Sequence, residues 1–238
     1  METRKAIMIP LGTVNNPVRR KPYLTYSLIL INILVFLWEL TLPQADLYQA
    51  FYTLAIVPCE FTRTFAPEQF IDFFRSMFLH AGFWHLIGNM TYLWLFGTNI
   101  EDYLGRRWFL LLYFAGGLAA ALVHTVLYPN VCIPLVGASG AIAALLGAYI
   151  LAYPGTKVRV GIIFFRYFML PARVPAIVML GVWFLLQVFN GILSLGVETL
   201  TGGGVAFFAH VGGFVFGALF VFIFMMFNGP PERDLDIA

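Results

Sequence analysis

The chain has 238 residues, of which 61% are apolar, 17% aromatic and only 11% charged. Soluble domains carry about 25% charged and about 45–50% apolar residues, so the composition excludes a water-soluble single domain. A net charge of +2 without a long basic run excludes disordered and nucleic-acid-binding chains. Two cysteines are too few for a disulfide framework or a cysteine-rich zinc site. The composition therefore predicts a small protein that crosses a membrane several times.

Long charge-free stretches predict an all-α polytopic fold with six transmembrane helices. A span needs about 20 largely apolar residues, and the stretch 108–156 is long enough for two spans separated near Pro129. The predicted domains are a cytoplasmic N-terminal arm (1–23), a membrane domain (24–227) and a cytoplasmic C-terminal tail (228–238). The six predicted helices, first to sixth, are 24–42, 84–103, 108–127, 139–153, 175–195 and 205–227.

The positions of lysine and arginine predict the orientation of the chain in the membrane. Twelve of the 14 basic residues fall in the arm, the tail, or the connections after the second and fourth helices. Only Arg63 and Arg75 fall on the other side, so both termini are expected in the cytoplasm. The first helix is too long for a signal peptide and is expected to stay as an anchor. The short arms and the absence of a transit peptide favour a bacterial inner membrane.

Three connections between the predicted helices are informative. Residues 43–83 mix polar and aromatic side chains, which suits a segment lying in the membrane interface. Residues 154–174 are basic and partly β-branched, and are expected to form a loop that touches anionic headgroups. Residues 196–204 include four glycines and form either a flexible connector or a lid over a site.

Four polar side chains near the starts of predicted helices are candidates for chemistry. His85 and Asn89, spaced i and i+4, share one face of the second helix, whereas Ser139 begins the fourth and His210 lies early in the sixth. Three of them have a structural explanation as well: a helix cap or a small packing residue for Ser139, and an interhelical hydrogen bond for Asn89 and for His210. Because these three helices all start on the predicted outer side, the four side chains are expected at one shallow depth.

Small residues predict that the fourth and sixth helices pack closely. Glycine and alanine at spacings of three or four let helix backbones approach each other in lipid. Such packing brings Ser139 and His210 together at the outer end of the bundle. The small residues are Gly140, Ala144, Gly147 and Ala148 in the fourth helix and Gly213 and Gly217 in the sixth.

Ser139 and His210 together suit nucleophilic catalysis, because a serine hydroxyl needs an adjacent base to become an effective nucleophile. The Ser139 N–H, the Asn89 amide and His85 are candidate donors to an oxyanion, aided by the helix N-terminus. The second, fourth and sixth helices contain no Asp or Glu near the depth of these side chains. A Ser–His dyad is therefore predicted instead of a triad. Ala141 departs from the nucleophile elbow of soluble hydrolases. No cofactor and no metal is expected.

These residues resemble the motifs of the rhomboid intramembrane serine proteases. The resemblance covers residues 23–227, and it is specific because several motifs occur in the same order and at the same predicted depth. It rests on Phe78-Leu79-His80 through His85 to Asn89, on Glu101 and Gly105, on Gly137-Ala138-Ser139-Gly140, and on Ala209-His210 followed by Gly213 and Gly217.

The resemblance implies a six-helix core whose short central fourth helix lies beneath a water-filled cavity. It also implies Ser139 as nucleophile, His210 as base, and His85 and Asn89 as oxyanion-hole side chains. His80 is implied to be a structural residue of the first loop. The implied partners are the lipid bilayer and single-span membrane proteins, which enter sideways and are cut near the outer surface.

The sequence departs from some bacterial rhomboids at two places. Phe74-Arg75 stands near the position of a Trp-Arg pair in the first loop, and Ala143 stands where some members have a tyrosine supporting the base. Another group, such as an aromatic side chain of the sixth helix, is therefore expected to hold the His210 ring.

Two other functions remain open from the sequence. The first is a catalytically silent rhomboid-like protein that binds membrane clients. The second is a transporter or proton channel that uses His85, His124 and His210 as a relay. The absence of an acidic residue at mid-depth argues against the relay, and His124 is expected to be an interface residue. The oligomeric state is left open.

Cys59 and Cys132 both fall on the predicted outer side. In an oxidising compartment they either form a disulfide between the first loop and the connection after the third helix, or remain two free thiols.

Overall fold

The computed structural model describes residues 7–14, 18–64, 66–164, 168–194 and 206–231. Within these residues a helix lies at each of the six predicted places. The predicted connector 196–204 and the tail beyond residue 231 lie outside the described residues. The long helices are α1 (Tyr23–Glu39), α5 (Phe83–Tyr92) continuing through a π-helical turn (Leu93–Gly97) into α6 (Thr98–Leu127), α7 (Ser139–Ala152), α8 (Ala176–Ser194) and α9 (Phe207–Asn228).

The predicted separation between the second and third helices falls at Gly105. Its φ of 72° and ψ of 166° interrupt α6 with a backbone conformation that favours glycine. Residues 83–104 and 106–127 are therefore two successive helices, which agrees with the division expected from the charges near Arg106.

In the part of the chain that the structure describes, three helical segments are long and apolar enough to cross a membrane: Phe83–Leu127, Ala176–Ser194 and Phe207–Asn228. The apolar helices α1 and α7 are shorter, with 17 and 14 residues. The protein is thus a mostly helical membrane protein, and the spanning of all six helices stays a prediction.

Helix α7 forms the centre of the bundle. Residues 141–149 are all buried, as is typical of a helix that is apolar on every side and enclosed by other helices. A side chain at Gly213 would meet the backbone carbonyl of Gly140, and one at Gly217 would meet the carbonyl of Ala144. The predicted close packing of the fourth and sixth helices is confirmed, because α7 and α9 touch backbone to backbone.

The connection between α1 and α5 is largely helical. It contains α2 (Gln44–Leu54), α3 (Pro58–Arg63) and α4 (Phe70–Arg75), and two 3₁₀ turns, Pro67–Gln69 and Ser76–Phe78. Its core is aromatic: the Phe61 ring meets the fully buried Phe73 edge-on, with centroids 5.2 Å apart.

A disulfide joins this connection to the segment that precedes α7. Cys59 and Cys132 are bonded with their Cα atoms 5.1 Å apart, so the structure favours the first of the two alternatives. The Cys59 N–H also donates to the Val131 carbonyl at 3.0 Å, and Ile56 forms a bridge with Leu135. These links hold α3 beside the chain that leads into Ser139.

Three strands form an antiparallel sheet in the order β1 (Ile7–Val14), β2 (Lys157–Phe164), β3 (Phe168–Pro175). The fold is mostly helical, as the all-α prediction has it, but this small sheet was not predicted, and the expectation of a plain loop at 154–174 is wrong. The sequence signal for β2 is the alternation of charged and apolar residues from Lys157 to Val160. In the structure Lys157 and Arg159 are exposed, whereas Val158 and Val160 are fully buried. Such alternation is typical of a strand with one buried face.

Candidate active site

Ser139 and His210 meet at the N-terminal ends of two packed helices. Ser139 is the first residue of α7 and His210 lies in the first turn of α9. The Nε2 atom of His210 lies 2.9 Å from the Ser139 Oγ, within hydrogen-bond distance. Gly140 follows the serine and Gly213 lies one turn after the histidine, so a close backbone contact between the two helices lies beside this pair.

Two side chains of α8 contact the other side of the His210 ring. The Oε1 atom of Gln187 lies 2.8 Å from His210 Nδ1, and the Trp183 ring lies at an angle of 34° to the imidazole with centroids 5.7 Å apart. The expectation that an aromatic of the sixth helix holds the ring is therefore wrong. Trp183 and Gln187 are four residues apart, so they lie on one face of α8.

His85 and Asn89 lie beside Gly137, two residues before Ser139. A Cβ on Gly137 would come within 2.7 Å of the His85 ring and 3.6 Å of the Asn89 amide nitrogen. Gly137 has a φ of 126°, and its N–H donates to the Ser76 carbonyl at 2.8 Å. This glycine allows the turn into α7 to pass directly against the two polar side chains of α5.

His80 connects Asn89 to α1. Its Nε2 lies 3.0 Å from the Asn89 Nδ2, and its Nδ1 lies 3.2 Å from the Phe78 carbonyl oxygen. Its backbone N–H donates to Glu39 Oε1 at 3.0 Å. Because Nδ1 faces an acceptor and Nε2 an amide donor, these partners suit the neutral ring. Burial, with a smaller contribution from His85, lowers the pKa of His80 to about 4, whereas the bond to Phe78 opposes the shift.

Sequence reasoning missed Gln187, Trp183 and Glu39. Gln187 is the one amide or charged side chain between residues 176 and 189, and Glu39 is a carboxylate at the end of an apolar helix. Polar groups in such segments are costly and mark functional or packing contacts. The criterion that selected the four candidates therefore also selects these two, once it is applied to the first and fifth helices.

The two acidic residues at the end of the second predicted helix lie far from Ser139 and His210. Glu101 follows His85 by 16 residues, or about 24 Å along a helix. Its Oε2 accepts from the backbone N–H of Thr25 at 2.7 Å and from the Thr25 hydroxyl at 2.8 Å. Asp102 similarly accepts from the backbone N–H groups of Arg19 and Arg20. These acids hold the chain at the beginning of α1 and are separate from the contact between Ser139 and His210.

His124, the third histidine of the relay alternative, lies near the end of α6. Its ring is 5.0 Å from that of Tyr128, and its buried Nδ1 has no hydrogen-bond partner in the part of the chain that the structure describes. Among the described residues, no hydrogen bond joins it to His85 or His210, and no cluster of three potential metal ligands occurs.

Comparison with known proteins identifies the family. The family model of the Rhomboid domain matches residues 67–227, from the first loop to the end of α9. The chain belongs to the rhomboid family. The match includes Ser139, His210, His85 and Asn89, whereas α1 lies before it.

Several rhomboid proteins are similar to this chain. The mitochondrial Rhomboid protein 1 of Saccharomyces cerevisiae is 30% identical over 203 residues, covering 83% of this chain and 52% of that protein. Rhomboid protease GluP of Bacillus subtilis is 33% identical over 129 residues, covering 54% and 24%. The putative rhomboid protease YdcA of the same organism is 32% identical over 136 residues, covering 56% and 63%. The chain spans about half the length of the yeast relative and a quarter of GluP.

Proposed function

We propose that this rhomboid is an intramembrane serine endopeptidase that uses Ser139 as nucleophile and His210 as general base. The observation that carries the proposal is the 2.9 Å contact between the Ser139 Oγ and His210 Nε2. Similarity to proteins named rhomboid proteases supports the reaction class. The substrates are proposed to be single-span membrane proteins.

The geometry suits acyl transfer through a dyad. His210 Nε2 takes the hydroxyl proton as the Ser139 Oγ attacks the peptide carbonyl, and the imidazolium then gives this proton to the leaving amine. Water subsequently hydrolyses the acyl-enzyme with the same histidine as base. Among the described residues no carboxylate bonds His210, so the proposed step uses only the serine and the histidine, without the Asp of a triad.

Asn89, His85 and the Ser139 N–H are proposed to stabilise the oxyanion. A carboxamide has two N–H groups. One of those of Asn89 faces His80 Nε2, so the second is left for the substrate oxygen. Loss of one such donor typically costs about 2.7–4 kcal/mol of transition-state stabilisation. The position of Ser139 at the N-terminus of α7 adds a favourable helix dipole.

The site is proposed to lie near the outer membrane surface, with both termini in the cytoplasm. Predicted cytoplasmic cations support this orientation, because Arg20, Lys21, Arg106 and Arg107 line one cavity of about 440 Å³ beside Glu101. A substrate helix must unwind before cleavage, since its peptide bonds are hydrogen-bonded and shielded. The membrane itself, bacterial or mitochondrial, is left open by relatives of both origins.

Cleavage of a model single-span substrate by purified protein in proteoliposomes tests the proposal. We expect the wild type to cut near one membrane surface, and both Ser139→Ala and His210→Ala to abolish cleavage. A fluorophosphonate should label Ser139 in the wild type only. Ser27→Ala is the matched control, because the hydroxyl of this exposed serine bonds the Tyr23 carbonyl of its own helix.

Two results would overturn the proposal. Undiminished cleavage by Ser139→Ala would mean a contaminant or another nucleophile. No cleavage of several substrates, with no fluorophosphonate labelling, would instead favour a catalytically silent rhomboid that binds membrane clients.

A further inference from the structure

The contact between Gln187 and His210 lies outside the Ser139–His210 dyad. Gln187 Oε1 lies 2.8 Å from Nδ1, and Ser139 Oγ lies 2.9 Å from Nε2 of the same ring. Both imidazole nitrogens are thus engaged, one by the nucleophile and the other by an amide oxygen. His210 itself is buried, with 9% of its surface exposed.

We propose that Gln187 is a positioning residue that fixes the tautomer and orientation of His210; this inference rests on the proposed protease function. The amide oxygen only accepts hydrogen bonds, so it selects the ring with a proton on Nδ1. That tautomer leaves Nε2 unprotonated, as a base toward the Ser139 hydroxyl must be. Gln187 therefore holds the place that a carboxylate holds in a Ser-His-Asp triad.

An amide suits this position better than a carboxylate does. An ionised acid inside an apolar helix is expensive in a membrane, whereas an amide supplies the acceptor without a full charge. The cost is weaker stabilisation of the imidazolium that forms as Ser139 attacks. Trp183 offsets part of that cost, because its ring lies 5.7 Å from the imidazole and cations are stabilised by aromatic faces within about 6 Å.

Three variants of α8 test the role of Gln187 in proteoliposomes that cleave the model substrate. Gln187→Leu keeps the approximate side-chain size and removes the acceptor. Gln187→Glu keeps the acceptor and adds a charge. Asn190→Leu is the control, since it removes an amide one turn along the same helix that does not bond His210. The measurements are kcat, KM, the pH–rate profile, and the rate of fluorophosphonate labelling of Ser139.

We expect Gln187→Leu to lower kcat and the labelling rate about 10- to 100-fold, with little change in KM, because general-base efficiency depends on ring orientation. Gln187→Glu should retain more activity than Gln187→Leu. Its acidic limb should move to higher pH, because a carboxylate favours the imidazolium. Asn190→Leu should match the wild type.

Wild-type kcat in Gln187→Leu would overturn the inference. So would equal losses in the Leu and Glu variants with unchanged pH profiles, because that pattern indicates packing alone. A wild type that neither cleaves nor labels would remove the proposed function itself, which is a different result from active wild type with insensitive Gln187 variants.

Discussion

Helices α7 and α8 both contact α9, yet they do so in different ways. Against α7, α9 presents glycines whose missing side chains leave room for backbone carbonyls, as at Gly217. Against α8, the contact is made by aromatic side chains: Phe184 stacks on Phe214 with centroids 4.5 Å apart. Ten of the 14 residues of α7 are buried, whereas α8 buries only Ala176, Leu180 and Gly191 among its 19 residues.

This difference divides the candidate site between a tightly packed and a loosely packed region. The nucleophile and base lie on α7 and α9, where backbone contact leaves little freedom to separate. Gln187 and Trp183, which contact the far side of the base, lie on the more exposed α8. A shift of α8 is therefore expected to change the orientation of the His210 ring more than it changes the distance between Ser139 and His210.

Introducing a large side chain between α7 and α9 should have the greatest effect. In Gly217→Leu the new side chain would collide with the Ala144 backbone, which cannot move aside as a side chain can. We expect a loss of more than about 3 kcal/mol of stability and complete loss of cleavage. Thermal unfolding in detergent and the proteoliposome assay measure both.

Gly181→Leu is the matched control on α8. Nothing lies within 4 Å of a Cβ built on Gly181, so this variant should fold and cleave like the wild type. Equal damage from the two substitutions would contradict the contrast between the helices.

Removing the disulfide should have the next largest effect on stability, and this effect should arise at the segment that leads into α7. The double variant Cys59→Ser, Cys132→Ser releases α3 from the chain that leads into Ser139. Natural disulfides typically contribute about 2–4 kcal/mol, so unfolding should shift to a lower temperature by the corresponding amount. An unchanged unfolding temperature, or two reactive thiols in the native protein, would show that the bond makes no contribution.

Acid should weaken the connection between α1 and α5 through His80. The folded state holds the pKa of this histidine at about 4, below its ordinary 6.5, so the unfolded chain binds the extra proton first as pH falls. The neutral ring makes its full contribution to the free energy of unfolding above about pH 6.5. This contribution declines toward pH 4, by at most about 1.4 kcal/mol per pH unit. Unfolding temperatures measured across this interval follow the decline.

His80→Gln isolates this contribution from the other titrating groups. Glutamine supplies an amide donor and an acceptor but does not titrate. The stability of the His80→Gln variant should therefore fall less than that of the wild type between pH 6.5 and 4. Parallel curves for the two proteins would assign the acid sensitivity to groups other than His80.

The smallest expected effect is a difference in local opening. Backbone amides of α8 should exchange with deuterium about tenfold faster than those of α7 in lipid nanodiscs, because α8 has fewer buried contacts. Mass spectrometry of peptides from the two helices measures the ratio. Equal protection would mean that exposure along α8 does not reflect weaker packing.

The main features of the fold could be predicted because hydropathy and charge report directly on membrane helices. The division between the second and third helices followed from the charges near Arg106, and the packing of Gly213 and Gly217 followed from the small size of glycine. The sheet was missed although its alternating pattern was visible at Val158 and Val160. Strand pairing joins residues about 150 positions apart, such as Ile7 and Ile163, and no local pattern identifies such a partner.

The sequence by itself determined the membrane class, the six helical segments and the four polar candidates of the site, because composition and spacing carry that information. Only the tertiary structure decided which groups contact His210, since Gln187 is 23 residues away in sequence and could face any neighbour of α8. It likewise decided the pairing of Cys59 with Cys132, 73 residues apart. Contacts between distant segments depend on how helices rotate and pack against one another, which is set by the whole bundle.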